Sequence, residues 1–421
     1  MITVQLPLLH TGQVNAFKAR TRFFALRCGR RWGKTTQLET IACDGAIKQQ
    51  NIGIFTPTYK QQDEIYSSIQ DTLEPVIGTS NRNSGIIRTK TGGRIDFWSL
   101  EDNRAGRGRK YHKALIDEAA FTKNKSMLNT WRAAIRPTLL DFRGSCWAMS
   151  TPNGDDPENF FWQLCNNPEH GFTEYHAPTS TNPHLPPDEL ALLQEQNHPL
   201  VFRQEYLAEF VDWAGAQFFD LKKCLVEGQP VEYPTLCDYV FATIDTAAKS
   251  GQKHDSTAVC YWARSTHGGY PLILLDWEIL QIDGSLLEVW LPTVFQNLEK
   301  FATDCRARQG SLGAFIEDKS SGIVLLQHAQ NQGWPATGID SKLTSMGKDE
   351  RAISVSGYIY QGLVKISQWA HQKVIMHKGT SRNHLEAQVF GYVMGQQNKA
   401  DDALDTWCYG VALALGNNDG F

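Results

Sequence analysis

The chain has 421 residues, 41 Lys and Arg against 45 Asp and Glu, a formal net charge of −4, 41% hydrophobic and 20% charged residues. Such a balance excludes disordered and fibrous classes, and the length is enough for two or three cored domains. No apolar run approaches the ~18 residues of a transmembrane helix, and the nine scattered cysteines, with no C-x-x-C pair, point away from a disulfide framework or a zinc site.

In chain order, Met1-Ile2-Thr3-Val4-Gln5 lacks the basic and apolar regions of a signal peptide, so no leader is expected. Phe23–Arg27 reads as a buried strand. Cys28-Gly29-Arg30-Arg31-Trp32-Gly33-Lys34-Thr35-Thr36 follows, and Thr35 to Lys48 reads as a helix. The pattern is a phosphate-binding loop, G-x-x-x-x-G-K-[ST], met from Gly33 onward but with Cys28 in place of the first glycine. Backbone N–H groups and the helix N-terminus would cradle phosphates, Lys34 would reach the β/γ-phosphates, and Thr35 would ligate Mg²⁺.

Further strands are expected at Ile52–Thr56, Arg94–Trp98, Lys113–Asp117 and Cys146–Ser150, with helices between several of them. That alternation predicts a mostly parallel α/β sheet. Between two of these strands lies a basic stripe, Arg104, Arg107, Arg109, Lys110 and Lys113, which reads either as a solvated loop or as a phosphate contact. Ala114-Leu115-Ile116-Asp117-Glu118 is an apolar strand ending in two acids at the sheet's carboxyl edge. Asp117 would support the metal and Glu118 would act as the base that activates water. Ser150-Thr151 ends the next strand, which reads either as a strand followed by a Ser-Thr-Pro turn or as a strand standing beside the nucleotide to sense the γ-phosphate.

A proline-rich break at 178–187 precedes a helical run from Asp188 to about Asp212, read as a small lid or linker. Beyond it Tyr239–Asp245, Thr257–Trp262 and Leu272–Leu280 read as antiparallel strands, followed by helices, one strand at Ala314–Glu317 and a final helix at Asp401–Leu415. Asp245 and Glu317 end strands, Asp255 precedes one, and Asp401, Asp402 and Asp405 open the last helix at i,i+3 and i,i+4 spacing. Crowding like charges is costly unless a cation sits between them; capping and the helix dipole could explain Asp401 and Asp402 alone, but not Asp245 and Glu317 at strand ends. Hard oxygen ligands suit Mg²⁺ or Mn²⁺, and two such ions can clamp the oxygens of a cleaved phosphodiester. Strand acid, antiparallel strands, strand acid and helix acids are laid out as in an RNase H-like nuclease.

Taken together, the loop Gly29–Thr35, Leu115–Phe121, Arg136-Pro137-Thr138-Leu139, Ser150–Gly154, Ile244-Asp245, Ile316-Glu317 and Asp401–Asp405 make the chain resemble the large subunit of tailed-bacteriophage DNA-packaging terminases. The resemblance implies an α/β protein: a P-loop ATPase domain with a mostly parallel sheet (1–180), a lid or linker (181–225) and an RNase H-like nuclease domain with a mixed sheet (226–421). It implies a motor that hydrolyses ATP to drive double-stranded DNA into a procapsid and cuts concatemeric DNA. Its cofactors would be ATP and Mg²⁺, with Mn²⁺ an alternative at the nuclease. Gln13 would contact adenine, Lys34, Thr35 and Thr36 with Gly33 would hold phosphate and Mg²⁺, and Ser150 and Thr151 would couple hydrolysis to movement. Either Arg30 or Arg31 in cis, or Arg104 or Arg107 in trans, would be the arginine finger.

Asp245, Glu317 and one or more of Asp401, Asp402 and Asp405 would bind the nuclease metal. Implied partners are a small terminase subunit, the portal protein and further copies in a pentameric ring, in the host cytoplasm and with no membrane. Rival readings are a translocating helicase, a transposase or DNA-repair nuclease with an accessory ATPase, and a non-catalytic DNA-binding scaffold. The first would carry a second ATPase-like lobe, and the last leaves the paired acids unexplained.

Overall fold

The computed structural model describes residues 3–124, 126–215, 217–246, 256–282, 286–319, 321–394 and 402–416, with Ser321 and Asp402 given by backbone alone. Asp255 and Asp401 lie outside the described residues. The chain divides into two compact units, Met1–Gln194 with Pro199–Asp212, and Glu195–His198 with Trp213–Phe421.

In the first unit the described strands are β1 (Phe23–Cys28), β2 (Asn51–Thr56), β3 (Ile77–Asn81), β4 (Ile86–Thr89), β5 (Arg94–Ser99), β6 (Lys113–Ile116), β7 (Ser145–Ser150) and β8 (Thr173–Ala177). They form one sheet in the order β3-β4-β5-β2-β6-β7-β1-β8. From β5 to β8 every pairing is parallel, while β3 and β4 add an antiparallel edge. Alternate side chains of β1 feed the two faces, as strand geometry requires. Phe24, Leu26 and Cys28 pack with Leu38, Ile41 and Ala42 of the helix Lys34–Ile47 and with Ile65 and Ile69 of the helix Tyr59–Leu73. Phe23 and Ala25 pack on the other side with Trp131, Ile135, Phe160 and Phe161. The sheet is therefore a buried middle layer, which explains its nearly continuous apolar strands.

The expected helix from Asp188 to about Asp212 is instead two, Pro187–Gln196 and Pro199–Glu205. Pro199 has no N–H to give to a continuing helix, yet is well suited to begin one.

In the second unit β9 (Tyr239–Asp245), β10 (Thr257–Arg264), β11 (Leu272–Leu280), β12 (Ser311–Ile316), β13 (Ala336–Gly338) and β14 (Val364–Ile366) form a mixed sheet in the order β13-β12-β9-β10-β11-β14. The first three are antiparallel neighbours, and β12 returns parallel to β9. This is the RNase H-like arrangement. Two strands of the sheet, β13 and β14, were not expected, because three residues carry too little periodicity to read. A hairpin, Ile375–His377 with Thr380–Arg382, lies outside the sheet.

One sheet face, through Val240, Ala242 and Ile244, is covered by the helix Leu287–Asp304 and by Leu325 and Ala329. The opposite face carries the last helix, Asp402–Leu415. There Trp262 lies 5.2 Å from Trp407, ring centre to ring centre, and Thr243 Oγ1 donates to the Thr406 carbonyl at 2.9 Å. Gly410 is required at this crossing, since a Cβ there would collide with the Trp262 indole.

Candidate active sites

The first site forms where β1 turns into the helix Lys34–Ile47. Gly33 caps that helix in the left-handed conformation, at φ 101°, and Arg31 is also left-handed at φ 61°. These two turns fold the loop back so that Lys34 begins the helix. Cys28 is the last residue of β1, fully buried, and burial pushes its thiol up to about 12. The glycine the loop needs stands one place later. A Cβ on Gly29 would collide with the Thr179 hydroxyl and the Tyr206 carbonyl, and the Gly29 N–H donates to the Ala177 carbonyl at 3.1 Å.

The loop backbone is tied from outside. The Arg30 N–H donates to the Glu205 carbonyl at 2.7 Å, Thr179 Oγ1 to the Arg30 carbonyl at 2.8 Å, and Asn182 Nδ2 to the Arg31 carbonyl at 2.8 Å. The Arg30 guanidinium pairs with the Glu205 carboxylate, whereas Arg31 is exposed. On the other flank Gln13 Nε2 donates to the Gly33 carbonyl at 2.9 Å and its oxygen accepts the His10 N–H at 2.8 Å. His10, whose Nε2 lies 2.8 Å from the Trp32 carbonyl, completes this contact. His10, Thr179, Asn182 and Glu205 carried no motif that a sequence reading could catch.

Strand β7 lies between β1 and β6, so Ser150 and Thr151 stand between the lysine and the acids. Lys34 Nζ donates to Thr151 Oγ1 at 3.0 Å and lies 3.4 Å from Glu118 Oε1. Ser150 Oγ donates to Glu118 Oε2 at 3.1 Å and accepts the Ala120 N–H at 3.1 Å. Glu118 is held left-handed at φ 43°, an unfavourable backbone state for a residue with a Cβ. Burial and the Glu118 charge push Asp117 up to about 7 against the pull of Lys34. Asp117 Oδ1 is buried with no protein partner among the described residues. An orphaned acid oxygen beside a base is what a water-mediated hold on Mg²⁺ needs, so the residues fit that ion. Thr35 is exposed at the helix start, and the Thr36 carbonyl accepts from Thr40 Oγ1 at 2.8 Å.

Of the basic stripe, Arg104 pairs with Asp102 at 3.7 Å, Arg109 with Asp96 at 3.7 Å and Lys110 with Asp141 at 2.7 Å. Arg104 and Arg107 are exposed, and Lys113 opens β6.

The second site lies at the ends of β9 and β12. Ile244 pairs with Ile316, and the Glu317 N–H donates to the Ile244 carbonyl at 3.1 Å, so Asp245 and Glu317 come abreast. Alternation along β9 puts Asp245 on the face of Thr243, the face covered by the last helix. Burial pushes Glu317 up, but hydrogen bonds from Lys319 and Asp245, with the charges of Lys319 and Arg351, bring it below its usual range. Asp405 is buried and ion-paired to Arg351, whose Nη2 donates to the Met346 carbonyl at 2.9 Å. The Tyr409 hydroxyl is buried without a hydrogen-bond partner among the described residues, and burial drives it far up.

Among the described residues no three His, Cys, Asp or Glu gather as a metal group. Asp245 and Glu317 supply two carboxylates in mutual contact, a pair that suits a hard divalent cation. Asp402 opens the last helix, and Asp401 lies outside the described residues. Lys319, Arg351 and Tyr409 joined this site without any sequence signal.

A P-loop on a mostly parallel sheet, followed by paired acids on an RNase H-like sheet, defines an α/β protein of two units. Residues 26–225 match the family described as terminase large subunit, T4likevirus-type, N-terminal. The large terminase of a thermophilic bacteriophage superimposes with a TM-score of 0.65 at 14% identity, over 96% of this chain and 98% of that one. The same phage protein in complex with ADP gives 0.64 at 14%, and with ATP-γ-S 0.62 at 15%, each over 96% of this chain and 98% of that one. No curated protein matches the chain. The resemblance to terminase large subunits thus holds, by family in the first half and by fold over nearly the whole length. No helix among the described residues is long and apolar enough to cross a membrane.

Proposed function

We propose that the protein is a viral DNA-packaging motor that hydrolyses ATP to move double-stranded DNA and cuts that DNA with a metal-dependent nuclease. The observation that carries the reading is the convergence of Lys34, Glu118, Ser150 and Thr151 at the P-loop of a chain that also aligns Asp245 with Glu317. The complexes of the thermophilic phage terminase with ADP and ATP-γ-S support a nucleotide at the first site.

At that site Lys34 and the N–H groups at the start of the following helix bind the β- and γ-phosphates. Thr35, and Asp117 through water, would hold Mg²⁺, which neutralises phosphate charge when bound. Glu118 accepts a proton from the attacking water, and the Ser150 hydroxyl orients its carboxylate. Arg31 is free to turn toward the γ-phosphate, while Arg30 is engaged by Glu205. Gln13 links the adenine side of the site to the loop through Gly33. Residues 181–225 act as the lid.

At the second site Asp245, Glu317 and one or more of the acids opening the last helix would hold Mg²⁺ or Mn²⁺, which when bound would supply water activation and screening of the phosphodiester. By the family resemblance, the DNA is delivered by a small terminase subunit and passes through a portal on which copies of this chain form a ring, within the host cytoplasm.

Two substitutions test the reading. Lys34→Ala should abolish ATP hydrolysis and spare metal-dependent DNA cleavage, and Asp245→Ala should do the reverse. Loss of both activities in both variants, or of neither in either, would sink the two-site reading.

A further inference from the structure

Lys319 and Arg351 reach two acids of the second site, Glu317 and Asp405, and they are held in different ways. Arg351 is 3% exposed. Besides Asp405 and the Met346 carbonyl, it donates Nε to the Leu343 carbonyl at 3.3 Å and lies 4.5 Å above the Tyr409 ring. A planar guanidinium with buried acceptors on several sides is a fixed brace.

Lys319 is the opposite case. Its side chain is 57% exposed, and its ammonium lies 2.7 Å from Glu317 Oε1 and 2.6 Å from the Thr344 carbonyl. Both partners are reached from a flexible stem at the mouth of the site, two residues beyond the acid it neutralises. A divalent cation on Glu317 and the Lys319 ammonium would compete for the same carboxylate. Once displaced, the ammonium would stay tethered two residues beyond Glu317, within reach of a phosphate drawn to the cation that Glu317 would hold.

We propose that Lys319 is a catalytic residue of the nuclease site: it neutralises Glu317 while no divalent ion is bound, and on metal binding transfers to the scissile phosphodiester. The proposal rests on the nuclease reading above. In the reaction the oxygen of water forms a new bond to phosphorus, the bond from phosphorus to the leaving sugar oxygen breaks, and a proton ends on that oxygen. Lys319 keeps its own proton throughout and offsets charge building on the non-bridging oxygens.

The test uses the full chain, with Mn²⁺ titrated calorimetrically and DNA cleavage measured at saturating Mn²⁺. Lys319→Met should bind Mn²⁺ about two- to fivefold more tightly, the factor an exposed ion pair is worth. The same variant should cleave about 100-fold more slowly at saturation, the scale of losing one charge-stabilising donor. Lys319→Arg, which keeps the charge, should recover part of the rate. Unchanged or weaker Mn²⁺ binding by Lys319→Met, or an unchanged saturated rate, would overturn the proposal. Full cleavage by Asp245→Asn would instead bring down the nuclease reading and the proposal with it, a result distinct from failure at Lys319 alone.

Discussion

Lys34 Nζ and Glu118 Oε1 lie 3.4 Å apart, so the proposed phosphate-binding cation and the proposed base neutralise each other. On the proposed reading, a bound phosphate would draw the ammonium toward the new anion and leave Glu118 with Ser150. Glu118→Gln should therefore keep ATP affinity while lowering hydrolysis about 100- to 10,000-fold, the range for a lost general base. Equilibrium binding of a fluorescent ATP analogue beside steady-state hydrolysis checks this. A variant losing affinity and rate together would contradict it.

Asp117 supplies a pH prediction. Its carboxyl is pushed up to about 7 from an ordinary value of 3.8, mainly by burial. A carboxyl whose folded value exceeds its unfolded one lowers stability only once it ionises. The penalty is absent below about pH 4, grows between about pH 4 and 7, and is full above. Asp117→Asn removes it. Without nucleotide or divalent ions, the melting temperature of the variant relative to the parent should rise from pH 4 to pH 8. A flat or falling difference would count against the buried, metal-poised acid.

Arg351 and Asp405 form a buried ion pair, with side chains 4% and 12% exposed. Removing one partner of such a pair costs about 3–5 kcal/mol, whereas replacing both by apolar groups costs far less. Arg351→Met alone should be strongly destabilised, and Arg351→Met with Asp405→Leu should regain most of the loss in urea unfolding. Additive losses would show that the two side chains do not act as a pair.

Gly410 sets two opposed effects against each other. Alanine would gain about 1 kcal/mol of helix propensity. Its Cβ would drive into the Trp262 indole, and overpacking of this kind costs about 1–3 kcal/mol. Since the indole is also fixed by Thr243 Oγ1 at 3.1 Å, it has little room to yield. Gly410→Ala should lower stability and, by tilting the last helix, slow DNA cleavage. A stabilised variant would show that the crossing is looser than its geometry implies.

Much of the scaffold was legible because its strands are buried on both faces and so read as apolar runs. Tyr239–Asp245 and Leu272–Leu280 have the expected bounds, and β1, β2, β5 and β7 differ from expectation by a residue at an end. The edge hairpin β3–β4 escaped because β3 is largely exposed and rich in Gly, Thr, Ser and Asn. Strand β8 escaped because its exposed Thr173, Glu174 and His176 hide it among loop residues. In the candidate sites, acids at strand ends announced themselves through local pattern. The residues that grip them did not. Arg351 reaches Asp405 from 54 positions away and Glu205 reaches Arg30 from 175, so no spacing rule connects them.

The displacement of the tight glycine from position 28 to 29 has a consequence for how the loop meets its ligand. A loop with glycine at its first position is free to explore many shapes and is ordered by the phosphate it captures. Here that freedom is given up at a buried cysteine, and hydrogen bonds from Thr179 and Asn182 and one from the Arg30 N–H to the Glu205 carbonyl fix the curve beforehand. The proposed nucleotide would then meet a receptor already shaped, and little of its binding free energy would be lost to ordering. Any change of loop shape in the proposed turnover would have to break these hydrogen bonds or carry Thr179, Asn182 and Glu205 with it.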